Sequence, residues 1–363
     1  MTKKVIVVGG GIVGCLTALA LVERGCNVTL VERNVVASQT SGESSWAGAG
    51  ILFPLLPWMY RDPVNKLAMA GASLYPALCA RLYAETGIDT ECIQSGLLIM
   101  PTFDNQAAQD WCSAYNIQSQ PAPKTFYASS GLVASSEQAS LWLPGIAQVR
   151  PPNLLKALRV ALLQKGVTLL ENTQLKPLQA VTKLDVWETT DGVKLEADQF
   201  AVTSGAWSFE LLKNAALTLN IKPMRGQILL YQQPAQKLEH IVYANGFYLV
   251  PRQDGLLLAG STLEDVGFDT TTTEQVKQEL VKKAETIYPA LKNATILKHW
   301  SGLRPGTPEN LPTIGVHPAI ENLYLNTGHF RYGLTMAPSS AQLVAALMSG
   351  ETPQIGSAAY AVA

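Results

Sequence analysis

The feature that most limits what this chain can become is a glycine-rich turn between an apolar run and an apolar helical stretch. Val5-Ile6-Val7-Val8 has the composition of a buried parallel strand and leads straight into Gly9-Gly10-Gly11-Ile12-Val13-Gly14, a G-x-G-x-x-G sequence. Residues 15–24 turn helical, Gly25 ends that helix, and residues 27–31 form a second apolar strand closed by Glu32, 18 residues after Gly14. Each part meets a need of dinucleotide binding. Gly9 permits the tight turn, Gly11 lets the main chain approach a pyrophosphate, and Gly14 lets helix and strand pack closely. The N–H groups at the helix start, by Ile12 and Val13, face the anion. A carboxylate at Glu32 suits ribose hydroxyls and argues against a 2′-phosphate. The glycines alone do not differ from an ordinary turn; the order strand, loop, helix, strand, acid carries the reading.

With 363 residues the chain exceeds one compact core, so two domains are expected. Hydrophobic residues make up 47% and charged residues 15%, the balance of a well-buried enzyme-like chain and not of a disordered one. Basic and acidic residues number 27 and 28, which gives no basic stripe for nucleic acid. The five cysteines are odd in number, form no C-x-x-C and lie far in sequence from His240, His299, His317 and His329. They read as free thiols of a reducing cytoplasm, and no metal site is expected. Lys3-Lys4 and the apolar stretch to Val22 imitate a signal peptide or membrane span, but three glycines interrupt it. A soluble cytoplasmic protein is therefore expected, without membrane association. The sequence leaves the oligomeric state open, a homo-oligomer included.

A segment of small residues, Ser38-Gln39-Thr40-Ser41-Gly42-Glu43-Ser44-Ser45-Trp46-Ala47-Gly48-Ala49-Gly50, follows the second strand and reads as backbone pressed against something flat or anionic. Residues 54–63 form an ordered loop, 64–86 a long helix, 96–100 a strand and 105–115 a helix, while 118–145 is irregular. A helix is expected at 154–165, a strand at 167–170, and a meander over 175–202 turning at Asp191-Gly192. Residues 219–262 are strand-rich with a hairpin at Gln253-Asp254-Gly255, 274–288 is an amphipathic helix, 323–327 a strand and 339–348 a final helix. Nucleotide-type elements thus flank antiparallel ones. The reading is an α/β chain in which a Rossmann-like domain (1–85, 146–215 and 300–363) is interleaved with a mixed, largely antiparallel β-sheet substrate domain with helices (86–145 and 216–299).

Eight segments in order resemble the D-amino-acid-oxidase-like flavoproteins, and among them the bacterial glycine oxidases, over nearly the whole length. They are the opening glycine turn with Ala47-Gly48-Ala49-Gly50-Ile51-Leu52, then Pro223-Met224-Arg225-Gly226-Gln227, Tyr248-Leu249-Val250-Pro251-Arg252 and Glu264-Asp265-Val266-Gly267-Phe268. Trp300-Ser301-Gly302-Leu303-Arg304-Pro305-Gly306-Thr307 and, after Leu311-Pro312-Thr313-Ile314-Gly315, Gly328-His329-Phe330-Arg331 complete the set. The resemblance implies noncovalent FAD with its ring between the two domains. It assigns Gly9, Gly11, Gly14, Glu32 and Arg33 to the pyrophosphate and ribose, and Leu175 to the adenine. Ser44, Ser45, Ala47, Gly48, Gly50 and Leu52 go to the flavin edge. Ser204, Gly205 and Trp207 go to the cofactor wall. Gly302, His329, Phe330, Arg331, Tyr332, Gly333, Leu334 and Thr335 go beside the ring. Every cysteine precedes residue 113, so a covalent link through a C-terminal cysteine is excluded.

Read on their own terms, Arg304 and Arg331 stand out, because a guanidinium inside an apolar motif awaits an anion. Arg304 is expected to hold a substrate carboxylate bidentately, with Tyr248 on the same carboxylate; a structural salt bridge and core packing are the respective alternatives. Arg331 either clamps the ligand or braces a loop, His329 reads as a satisfied structural histidine, and Trp207 and Trp300 read as packing. A helix starting near Ala337-Pro338-Ser339 is expected to aim its positive end at the ring. The resemblance implies hydride transfer from Cα of glycine, sarcosine or a small D-amino acid to flavin N5, oxygen reduced to hydrogen peroxide, and the imine hydrolysed to an oxo acid such as glyoxylate. Competing readings are a D-amino acid dehydrogenase feeding a quinone, a flavin-bearing accessory protein without turnover, and a tRNA-modifying oxidoreductase. Tyr332 departs from the asparagine usual in glycine oxidases; it either fills space near the pyrimidine end or alters the reoxidation partner.

Overall fold

The structure, a computed structural model, describes residues 2–39, 42–122, 125–133 and 138–362; Thr40 and Ser41 of the small-residue segment lie outside the described residues. The first apolar run is the centre of a six-stranded sheet. Lys4–Val8 pairs in parallel with Asn27–Val31 on one side and Gln199–Val202 on the other. Thr168–Leu170 and Leu323–Thr327 extend the two sides in parallel, and Thr313–Val316 closes one edge antiparallel. Val5 to Val8 are all buried, which is why the run does not alternate: a strand covered on both faces has no polar side. Helix Ile12–Val22 is apolar nearly all round for the same reason, packed against Pro151–Gln164 and Gly333–Ser349. Helix Asp62–Thr86 lies on Gly333–Ser349 as well.

The second sheet has eight strands, in the order Ile296–Gly306, Lys222–Gln232, Leu256–Gly260, Phe247–Pro251, Ile241–Ala244, Leu97–Ile99, Leu141–Leu143, Gln120–Pro121. Its pairings are antiparallel except at Ile241–Ala244 against Leu97–Ile99. The hairpin expected at Gln253-Asp254-Gly255 joins two of these strands, and helix Glu274–Ile287 covers the sheet with Leu280, Ala284 and Ile287.

Three expectations change. Residues 118–145 carry helix Thr125–Ser130 and strands Gln120–Pro121 and Leu141–Leu143, too short to display a period. The domain boundary expected at residue 300 falls inside Ile296–Gly306, which stays in the eight-stranded sheet throughout. The last helix starts at Gly333, not near Ser339, and Pro338 lies within it. A proline reads as a helix start because it lacks an N–H, but inside a helix it only frees the carbonyl four residues back. Here that carbonyl belongs to Leu334, and the Tyr75 hydroxyl donates to it at 2.6 Å. The lost bond is replaced from the neighbouring helix.

Candidate active site

A cavity of about 520 Å³ lies where the glycine turn meets the eight-stranded sheet. At one end are Gly9, Gly11, Ile12, Val13, Glu32 and Arg33, with Ser204, Gly205, Trp207 and Leu175 opposite. Ser44, Ser45, Gly48 and Gly50 border the middle, and His329 through Thr335 the far end, with Tyr248 and Arg304. Gly14, Ala47, Leu52 and Gly302 stand behind this wall. A Cβ at Gly14 would lie 1.8 Å from the Gly9 carbonyl, and one at Gly302 would lie 2.8 Å from the Ala47 Cβ. These glycines let the elements that carry the lining approach one another.

At the nucleotide end, Gly9 adopts φ +109°, which favours glycine, against the Ser204 main chain. Glu32 is buried and fixed: Oε2 accepts the Gly10 N–H at 2.7 Å and Oε1 the Asn34 N–H at 2.8 Å. Ser45 Oγ accepts the Ile12 N–H at 3.0 Å, bringing the small-residue segment onto the start of the first helix. The Arg33 guanidinium lies 3.7 Å over the Trp207 ring, and Trp207 stacks on Phe268 at 5.6 Å. Trp207 is therefore the middle of a flat stack on the cavity wall as well as a packing residue. Trp300 does pack, against Trp46, and donates its indole N–H to the Ala47 carbonyl at 3.2 Å.

At the far end, helix Gly333–Ser349 has no side-chain cap, so its first N–H groups and positive dipole end border the cavity at Gly333, Leu334 and Thr335. The positive pole expected at 337–339 thus lies in an earlier turn. His329 is buried, and burial pushes its pKa down to about 3, which keeps the imidazole neutral. Its Nε2 is buried with no hydrogen-bond partner among the described residues, so the expected satisfied histidine is not found. Asn326 donates from Nδ2 to Thr17 Oγ1 at 3.1 Å but leaves a buried Oδ1 unpartnered among the described residues. Both residues border the cavity, while the two orphaned atoms themselves point into the packed interior behind it. The glycine cradle at Gly9 and Gly11 and the start of helix Gly333–Ser349 are what suit this cavity to a dinucleotide.

Arg304 projects from strand Ile296–Gly306 across Gly226 of the neighbouring strand. A Cβ at Gly226 would sit 1.9 Å from Arg304 Nη1, so the glycine is a floor for the guanidinium. Arg304 donates to Ser261 Oγ at 2.7 Å and to the Thr262 carbonyl at 3.1 Å, and the Tyr248 phenol lies beside it. These partners are all neutral, and among the described residues no carboxylate forms a salt bridge with it. Burial draws its pKa below the usual arginine value, and the charge remains open to an anion. Arg225, on the neighbouring strand one place along from the Met224 that pairs with Arg304, shows the contrast: it is spent on Glu264 at 2.7 Å and Asp269 at 2.6 Å. Arg331 is exposed on the cavity rim, 5.1 Å over the Phe330 ring, and forms no ion pair among the described residues.

Sequence reasoning did not single out Asn326, Ser261 or Arg252. Arg252 is buried and donates to the Ala49 carbonyl at 2.7 Å and to Gln148 Oε1 at 2.6 Å, anchoring the loop that borders the cavity at Ala49 and Gly50. Its position at the end of the Tyr-Leu-Val-Pro-Arg motif was the only signal available.

A dinucleotide cradle, an uncapped helix terminus and an unpaired arginine on one cavity define a flavin-dependent oxidoreductase. The chain belongs to the DAO family of FAD-dependent oxidoreductases, which it matches over residues 4–347. It is 40% identical to a glycine oxidase of Pseudomonas aeruginosa, covering 100% of this chain and 99% of that one. It is 39% identical to a glycine oxidase of Pseudomonas putida, over 99% and 98% of the two chains. The crystal structure of glycine oxidase from Geobacillus kaustophilus superposes with a TM-score of 0.90 at 28% identity, covering 100% and 99%. The protein is an FAD-dependent enzyme of amine or amino acid oxidation. Among the described residues no cluster of metal-ligating side chains occurs, and no helix is long and apolar enough to cross a membrane.

Proposed function

We propose that the enzyme oxidatively deaminates a small amino acid or amine, with glycine, sarcosine and small D-amino acids as its substrates. Oxygen is the acceptor, and hydrogen peroxide, ammonia or an amine, and an oxo acid such as glyoxylate are the products. The observation that carries this reading is Arg304, a half-buried guanidinium with neutral partners only, on the wall of the cavity. Bound FAD supplies the two-electron acceptor for the Cα–H bond. The chain supplies grip and electrostatics. Arg304 and Tyr248 hold the carboxylate, Arg331 adds positive charge from the rim, and the start of helix Gly333–Ser349 favours negative charge at the far end of the cavity. A neutral His329 adds no competing cation there.

Peroxide formation in air across glycine, sarcosine, D-alanine and D-proline tests the proposal. Peroxide appearing in step with oxo acid supports it. Reduction of the bound flavin by these amines without peroxide would replace it with a dehydrogenase. Failure of every small amine to reduce the flavin would overturn amine oxidation at this site.

A further inference from the structure

Residues 54–61 form the outer wall of the substrate end, between the buried Phe53 and helix Asp62–Thr86. The segment contains one turn of 3-10 helix, Pro57–Met59, and Leu56 before it sits at φ 54°. That left-handed conformation is costly for leucine and persists where the surroundings hold it. Leu55, Leu56, Met59 and Tyr60 border the cavity, yet Met59 is 70% exposed, so the segment has one side to the site and the other to water.

Two of its polar groups end on a single oxygen atom. Tyr332 Oη lies 3.0 Å from the Leu55 carbonyl and 2.7 Å from Tyr60 Oη. A carbonyl can only accept, so the Tyr332 proton goes to Leu55, and the Tyr60 hydroxyl donates the second bond. The two rings meet edge to face at 5.2 Å. Tyr332 is 5% exposed, so water has little access to replace its hydroxyl. It is also the residue between Arg331 on the rim and Gly333 at the start of the helix that borders the ring end.

We infer that Tyr332 is a specificity-determining latch that fastens residues 54–61 as a roof over the substrate end and so limits the bulk of the ligand admitted. The inference rests on the reading that this end takes a small carboxylate. It also gives the Tyr332 departure a role: a side chain reaching Leu55 joins roof and cofactor wall, whereas the shorter asparagine side chain has less reach.

The test uses the FAD-loaded enzyme and two variants, Tyr332→Phe and Tyr60→Phe. Two readouts are taken without turnover: hydrogen exchange of residues 54–61, and the ratio of dissociation constants for acetate and benzoate from the flavin absorbance. Losing the shared oxygen in Tyr332→Phe is expected to speed exchange about tenfold and to shift the ratio toward benzoate by about tenfold. Tyr60→Phe leaves the Leu55 bond intact and is expected to shift both less. An unchanged acetate-to-benzoate ratio in Tyr332→Phe, or an equal or larger effect of Tyr60→Phe, overturns the latch. A shifted ratio in an enzyme that no amine reduces upholds the latch and refutes amine oxidation instead.

Discussion

Pressed against Gly226, the Arg304 guanidinium gives up hydration and recovers only neutral hydrogen bonds in return. A carboxylate completes that balance, and the sequence showed the residue but not the floor beneath it. Arg304→Met is expected to raise KM for carboxylate substrates at least ~100-fold, with Arg304→Lys falling between, as read by steady-state kinetics. Gly226→Ala tests the floor: its methyl displaces the guanidinium and is expected to raise KM although residue 226 carries no chemistry of its own. His329 tests the electrostatics through pH. Its folded pKa of about 3 lies below the ordinary value, so between the two the unfolded chain binds a proton that the native state does not. Stability is fully present above ~6.5 and falls as pH drops toward 3, by about 1.4 kcal/mol per unit. Urea melts at pH 7, 5.5 and 4.5 are expected to show a flatter dependence for His329→Asn than for the natural protein. Equal slopes would mean that His329 titrates normally.

At the scale of elements, the turn from Lys4–Val8 into Ile12–Val22 was legible because its strand, loop and helix are consecutive and every residue serves one local geometry. The last helix was misplaced for a physical reason. Pro338 signals a start by local rules, and nothing near it in sequence shows that Tyr75 supplies the missing hydrogen bond. Tyr75→Phe is accordingly expected to destabilise the fold by ~1–2 kcal/mol in chemical denaturation. In a Pro338→Ala background the cost is expected to shrink, because the Ala N–H then reaches the Leu334 carbonyl itself. Strictly additive costs would break the link between the two residues. Leu141–Leu143 escaped notice because three buried residues show no period, and its place was fixed by pairing with Leu97–Ile99.

Across the whole molecule, the cavity is assembled from chain segments that meet only after folding. The end at the glycine turn was readable because it is one continuous stretch, and Arg304 because a guanidinium inside an apolar motif stands out. The contacts on which the proposed selectivity rests, Arg304 over Gly226 and Tyr332 under Leu55, pair residues far apart in sequence and leave no local mark. If FAD occupies the cavity where the glycine turn meets the eight-stranded sheet, as proposed, its binding is expected to stabilise the entire fold and not one half. With FAD at a thousandfold over its dissociation constant the gain is about 4 kcal/mol, visible as a single melting transition moved upward. Separate transitions, only one of them shifted, would contradict a cofactor held between the sheets. The most direct test of the central claim, that a small carboxylate-bearing amine is gripped by Arg304 beside bound FAD, is an anaerobic titration of the yellow holoenzyme with glycine or sarcosine. The account predicts bleaching of the flavin absorbance by the natural enzyme and, in Arg304→Met, bleaching only at amine concentrations at least ~100-fold higher. A flavin spectrum untouched by either amine, or bleached equally well with and without Arg304, would contradict it.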